Sequence, residues 1–265
     1  DFPFTIESCR DEARAYRARL VPSPRSRGFA NHPDISERGF AVAKTIANND
    51  FTDLLEQRHS VRNYDPNVKI PREEMLEMLN EAAKAPSSVN MQPWRFLIIE
   101  SDEGKAALKP LLHFNAKQNK NSSAMIAVFG DLLCYEQAER IYKTAADQGV
   151  MPRFMAKAQQ TAVVSMYKKA SRQKMSDIVK IDSSLLAMQF LLVARSHGYA
   201  TNPLGGFAQD KLADASGPAS PRSVPVLRLA VRHAGSPRHD PVSLPLHPPN
   251  LCRSAPPSGV FHLLI

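Results

Sequence analysis

Cysteine is scarce in this chain: Cys9, Cys134 and Cys252 are the only three, far apart and without a CxxC pair. That excludes a disulfide framework and a zinc knuckle, and it suits a reducing compartment such as the cytoplasm. Long apolar runs are missing as well. The best, Leu185 to Ala194, is interrupted by Gln189 and falls short of a bilayer-spanning helix, which argues against a membrane partner. No GxGxxG and no GxxxxGK segment occurs, so the chain carries neither a dinucleotide-binding Rossmann turn nor a P-loop. The first fifty residues contain no apolar stretch of the secretory kind, and Asp1, Glu7, Asp11 and Glu12 have the wrong charge for a transit peptide. The chain opens on Asp1 rather than methionine, which predicts a start that is missing, processed or lost.

What is present is a globular composition: 265 residues, 43% apolar and 23% charged. The net charge of +8 and pI near 9.5 invite a nucleic-acid or membrane-surface reading. The distribution of charge weakens it. Residues 1–50, 51–207 and 208–265 carry +1, +4 and +3, so half of the surplus lies outside the middle. The flanks hold 12 Arg to 2 Lys, and 10 of the 21 prolines fall in the last 58 residues. Lys168-Lys169 and the pair Lys117 and Lys120 have no interleaved aromatics and read as solvated helix faces. A basic nucleic-acid-binding module is therefore the third choice. The expected organisation is a weakly ordered segment 1–50, a folded domain 51–235 and a proline-rich irregular tail 236–265.

The middle predicts an α+β fold, a central mostly antiparallel sheet flanked by helices. Asp50 or Thr52 caps a short helix to about Arg58. Pro71 opens a helix at its first position, with Met75, Leu76, Leu79, Ala82 and Ala83 on one face. Trp94 to Glu100, Ala124 to Gly130 and Val224 to Val231 read as strands. Helices are expected over Gly104 to His113, Tyr135 to Gln148 and Phe154 to Lys169. Asp177 to Ser196 is apolar nearly all round, as befits a long, central, buried helix, with Gly198 as its C-terminal cap.

Three loops carry the chemistry. In Arg58-His59-Ser60-Val61-Arg62 two guanidiniums bracket a hydroxyl, which suits a phosphate dianion, though the motif alone reads more simply as a solvated basic turn. In the loop from Ala85 to Trp94, prolines frame small and amide-bearing residues whose donors and acceptors can pair with a heterocycle; an ordinary helix-to-strand connection reads the same way. In the Asn202 to Phe207 loop, Gly205 and Gly206 let a flat ligand approach the backbone, or simply end a helix turn.

Taken together and in this order, RHSVRNYD, APSSVNMQPWRFLII and GYATNPLGGF resemble the nitroreductase family of flavin mononucleotide-dependent oxidoreductases, over about residues 51–215. The resemblance implies an α+β homodimer with two FMN sites at the interface. It implies that Arg58, His59, Ser60 and Arg62 hold the phosphate, ribityl chain and pyrimidine edge. It implies that Pro86, Ser87, Ser88 and Asn90, with Gln92, reach the flavin from the partner subunit. Pro203, Leu204, Gly205 and Gly206 would lie beside the reactive ring nitrogen. The implied activity is ping-pong hydride transfer from NAD(P)H through FMN to a small electron-poor acceptor, a nitroaromatic or a quinone. No catalytic acid, base or nucleophile and no metal ligand is expected, and His113 and His197 read as structural or exposed. The alternative within the same fold is a flavin-binding protein, or an inactive remnant without efficient turnover.

Beyond Ala215 the sequence departs from that pattern. Arg232 and His233 stand where the family has Gly-Lys, Ser243 stands where an arginine is expected, and Arg228 puts a charge into an apolar strand. Unless Arg232, His233 or Arg238 reaches the phosphate, Arg58 and Arg62 hold it alone. The abrupt change to Arg, Pro and Ser at both ends predicts flanks from altered reading frames around a nitroreductase core.

Overall fold

The computed structural model describes residues 47–65, 69–112, 115–205 and 222–233. Nearly all of the expected N-terminal segment, the tail 236–265, His113, Gly206, Arg238 and Ser243 lie outside these residues.

Four strands form one antiparallel sheet: β1 (Trp94–Ile99), β2 (Ala124–Asp131), β3 (Ala200–Leu204) and β4 (Ser223–Arg232), in the spatial order β1-β2-β4-β3. β2 is buried along its whole length, which is why AMIAVFG lacks the polar alternation of a half-exposed strand. Its side chains divide by the two-residue period. Ala124, Ile126 and Val128 face one core with Met75, Met78, Leu186, Phe190 and Leu229. Met125, Ala127 and Phe129 face the other with Val61, Tyr64, Leu108, Leu204 and Ala230.

Seven helices surround the sheet among the described residues: α1 (Phe51–Gln57), α2 (Arg72–Ala82), α3 (Asp102–Leu108), α4 (Ala116–Asn121), α5 (Ala138–Asp147), α6 (Arg153–Lys169) and α7 (Arg172–Ser196). Asp50 caps α1 by accepting the Asp53 N–H at 3.1 Å. Pro71 is the residue before α2 rather than its first position, and supplies the carbonyl that Met75 N–H reaches. The helix expected to run to His113 stops at Leu108, followed by a 3-10 turn Lys109–Leu111. Pro110 has no N–H to continue the ladder. A 3-10 turn, Cys134–Gln137, likewise replaces the start of the helix expected from Tyr135.

α7 is longer than the apolar pattern implied. Ser171 accepts the Lys174 N–H at 3.2 Å and starts the helix five residues before Asp177. At the other end Gly198, at φ 85°, lets Tyr199 N–H return to the Ala194 carbonyl at 2.8 Å. One face of α7, with Val179, Leu186, Phe190 and Ala194, is buried. Ile181, Leu185 and Met188 form an outward stripe, so the all-round apolarity is not matched by all-round burial within one chain. The segment from Asn202 was expected to be a loop. Its first three residues instead extend β3, on the edge of the sheet, where Pro203 is tolerated.

α7 packs tightly on β2 at Gly130: a Cβ there would lie 2.5 Å from Val179 Cγ2 and 3.3 Å from the Val179 carbonyl oxygen. Gly130→Ala is therefore expected to lower stability by about 1–3 kcal/mol. Val179→Ala in the same chain should recover part of it, as read from urea unfolding midpoints.

Candidate functional site

The first loop begins where α1 ends. Arg58 N–H closes the helix on the Leu54 carbonyl at 3.1 Å, and the chain then runs along the free edge of β3. Ser60 bridges to Thr201, and Val61 N–H donates to the Thr201 carbonyl at 3.0 Å. Buried Val61 and Tyr64 pin this run to the sheet, while Ser60 and Arg62 stay exposed and Arg58 and His59 are half-buried. His59 Nδ1 donates to the Gln57 carbonyl at 2.7 Å, which leaves Nε2 as an acceptor. Among the described residues, neither the Arg58 nor the Arg62 guanidinium has an ion pair or side-chain hydrogen bond. Two uncommitted cations on one anchored segment are a donor set that could hold an anion.

The third loop lies beside the first through the same Thr201. Thr201, Asn202 and Leu204 are buried, whereas Pro203 and Gly205 are exposed. A Cβ on Gly205 would meet nothing within 4 Å, so the protein's own packing does not require a glycine there. Gly206 falls outside the described residues.

The second loop is elsewhere. It enters β1, at the opposite edge of the sheet from β3, three strand spacings or about 14 Å away. The structure thus brings together Arg58, His59, Ser60, Arg62, Pro203, Leu204 and Gly205, and sets Pro86, Ser87, Ser88, Asn90 and Gln92 apart from them. Val89, Asn90 and Gln92 have φ of 43°, 58° and 47°, left-handed values unusual for non-glycine residues and above all for valine. Such backbone costs on the order of 1–3 kcal/mol per residue and persists only when the surroundings over-determine it. Here they do. Ser87 Oγ accepts the Gln92 N–H at 3.0 Å, and Met91 is fully buried beneath the turn. Ser88 N–H donates to Asp182 Oδ1 at 3.0 Å, and the Tyr167 hydroxyl donates to Ser88 Oγ at 2.8 Å. Both serine hydroxyls are thereby used to shape the turn. Asn90 is exposed and Gln92 half-buried, and Gln92 Nε2 donates to Asn90 Oδ1 at 3.2 Å.

A buried ionic hub braces the base of this loop. Asp131, 2% exposed, accepts Arg95 Nη2 at 2.7 Å and Arg222 Nε at 2.8 Å. Arg95 also donates to the Gln92 carbonyl at 3.4 Å. Beside the hub, burial and then Asp131 push the Cys134 thiol up to about 12, so it stays protonated and unreactive. Asp131, Arg95, Asp182 and Tyr167 were not singled out in the sequence; an aspartate inside the apolar stretch around Ile181 was the one visible signal.

Of the late basic residues, Arg232 is buried and donates to the Asn121 carbonyl at 2.7 Å, at the end of α4. His233 stands edge-on to Tyr199 at 4.8 Å, and its carbonyl accepts the Asp65 N–H at 3.1 Å. Arg228 is fully buried in β4, and burial holds its pKa down to about 10. His197 is buried rather than exposed, 3.4 Å from Glu74 and 3.5 Å from Glu81, and Glu74 also accepts the Tyr199 hydroxyl at 2.7 Å. These groups tie α2 to the end of α7. Among the described residues no cluster of His, Cys, Asp or Glu could hold a metal, and no helix is long and apolar enough to cross a membrane.

Asp131→Ala would leave Arg95 and Arg222 without their shared carboxylate. A stability loss of about 3 kcal/mol is expected in chemical denaturation, the size typical of breaking one side of a buried ion pair.

Comparison with known proteins agrees with this architecture. The chain is 44% identical over 201 residues to YdgI of Bacillus subtilis, a candidate NAD(P)H nitroreductase, spanning 76% of this chain and 96% of that one. A candidate NAD(P)H:FMN oxidoreductase of Staphylococcus epidermidis superposes with a TM-score of 0.74 at 48% identity, covering 77% of this chain and 96% of the other. A candidate nitroreductase of Exiguobacterium sibiricum, solved in complex with FMN, gives 0.72 at 48% identity over 76% and 96%. The model of the nitroreductase family matches residues 55–231, so it takes in the whole sheet except Arg232, the last residue of β4. The chain belongs to the nitroreductase family of oxidoreductases.

Proposed function

We propose that the protein is an FMN-dependent oxidoreductase that uses NAD(P)H to reduce small electron-poor acceptors such as nitroaromatics and quinones. The observation that carries this reading is the pair of uncommitted guanidiniums, Arg58 and Arg62, anchored along the same strand edge that ends in the open backbone at Gly205. This donor set fits FMN: a phosphate for the two cations, and a flat ring for the exposed glycine. Bound FMN would take hydride from a nicotinamide and pass it to the acceptor in alternating half-reactions.

The chain's own contribution is binding, orientation and exclusion of water. Arg58 and Arg62 would hold the phosphate, with Ser60 and the His59 ring toward the ribityl chain and pyrimidine edge. Pro203, Leu204 and Gly205 would shape the floor under the ring, with Gly205 N–H free to donate. Arg232 is committed to the Asn121 carbonyl, which supports a phosphate site resting chiefly on the first loop.

The distance between the two sheet edges supports a site shared by two copies. Pro86, Asn90 and Gln92 would complete a partner's flavin site rather than their own chain's, with Ser87 and Ser88 forming the turn beneath them. The stripe of Ile181, Leu185 and Met188 on α7, with Phe51 and Leu55 on α1, supplies an apolar surface for such a homodimer. A cytoplasmic setting fits a nicotinamide-dependent reductase with a buried free thiol.

The purified protein should be yellow, and anaerobic NADPH or NADH should bleach the flavin band. A yellow protein that does not bleach would be a flavin binder without turnover, and a colourless one that takes up no added FMN would refute both readings. Arg58→Ala and Arg62→Ala should each weaken FMN binding about ten- to a hundredfold in fluorescence titration. Leu185→Glu should shift the protein from dimer to monomer in sedimentation velocity; an unchanged dimer would move the interface elsewhere.

A further inference from the structure

Asp182 sits in the middle of α7, one residue from outward-facing Ile181, with its carboxylate turned to the second loop. It is 4% exposed. Oδ1 accepts the Ser88 N–H at 3.0 Å, but Oδ2 has no hydrogen-bond partner among the described residues. Burial holds the group above the usual carboxylate range, with the Ser88 N–H offsetting part of the effect. A buried carboxylate with one oxygen unsatisfied works against folding. The bond from the Ser88 N–H is what offsets this cost.

What it does is fix one amide. Ser88 opens the turn in which Val89, Asn90 and then Gln92 take left-handed backbone, a conformation that relaxes unless something holds it. Tyr167 of α6 grips the same residue through Ser88 Oγ, and Arg95 with Asp131 grips the far end at the Gln92 carbonyl. Among these holds, only Asp182 brings a buried acid directly to the turn's own backbone. Bonds from an amide to an ionised acceptor are also stronger than neutral ones.

We propose that Asp182 is a positioning residue for the cofactor: by fixing the Ser88 amide it holds the strained turn that presents Asn90 and Gln92 to the flavin of the partner subunit. This inference rests on the flavin reading above. It assigns to α7 a second task besides its outward apolar stripe, since Ile181 and Asp182 are neighbours on the same helix. A group kept at a cost to folding and turned to a ligand loop is a group serving the ligand.

The test compares the wild-type chain with Asp182→Ala and Asp182→Asn. Three quantities are read on flavin-free protein: FMN affinity by flavin fluorescence, the thermal midpoint, and amide hydrogen exchange over residues 87–92. The alanine variant should bind FMN about ten- to a hundredfold more weakly, while its midpoint stays equal or rises. Exchange from Ser88 to Gln92 should quicken. The asparagine variant, which keeps an acceptor oxygen, should fall between. Unchanged FMN affinity in the alanine variant overturns the proposal, and so does a loss matched by a lowered midpoint in both variants, which would mark Asp182 as merely structural. If the wild type itself takes up no FMN, the flavin reading fails and the role toward FMN goes with it. Unchanged exchange in the variants would separately remove the claim that Asp182 holds the turn.

Discussion

The contact between α7 and the end of β2 governs the rest of the structure. Gly130 has no side chain, so Val179 seats directly on the sheet and α7 crosses it at close range. Two consequences follow from that closeness. Leu186 and Phe190 close the core against the sheet while Val179 packs in the cluster with Met91 and Tyr167, and Asp182 comes within hydrogen-bond reach of Ser88. The same rotation of α7 turns Ile181, Leu185 and Met188 away from the sheet. Core, loop support and outward apolar stripe are thus set by a single helix-on-sheet placement.

The strand order imposes the second constraint. With β1 at one edge and β3 at the other, the loop after α2 lies about 14 Å across the sheet from the loops after α1 and β3. In the proposed dimer each chain would instead carry one half of a site at either edge. A turn that serves a neighbour rather than its own chain cannot be ordered by its own chain's ligand. It must be shaped beforehand by bonds within the subunit, and Asp182, Tyr167, Ser87 and Arg95 provide them. Preorganisation of this kind lowers the ordering cost that binding would otherwise bear.

Much of this was readable in the chain. β2 announced itself because a strand covered on both faces has to be continuously apolar, and the three loops stood out by residue type and order. Other features depended on geometry that local sequence does not encode. Whether Ile181 is buried depends on which way α7 rotates and on what packs outside the chain, and periodicity cannot tell a neighbour in the same chain from a second copy. β3 was hidden because Asn202 and Pro203 resemble turn residues, while pairing with β4 and with Ser60 overrides that local preference. Asp131 and Asp182 lie 36 and 94 residues from the groups they hold, Arg95 and Ser88. No spacing rule could have linked them.

The account turns on a flavin site split between two copies of the chain. Native mass spectrometry of flavin-free protein titrated with FMN tests this most directly, because it reads assembly and occupancy in one spectrum. Up to two FMN on the dimer and none retained on the monomer is the predicted result. Stoichiometric FMN on the monomer would contradict it.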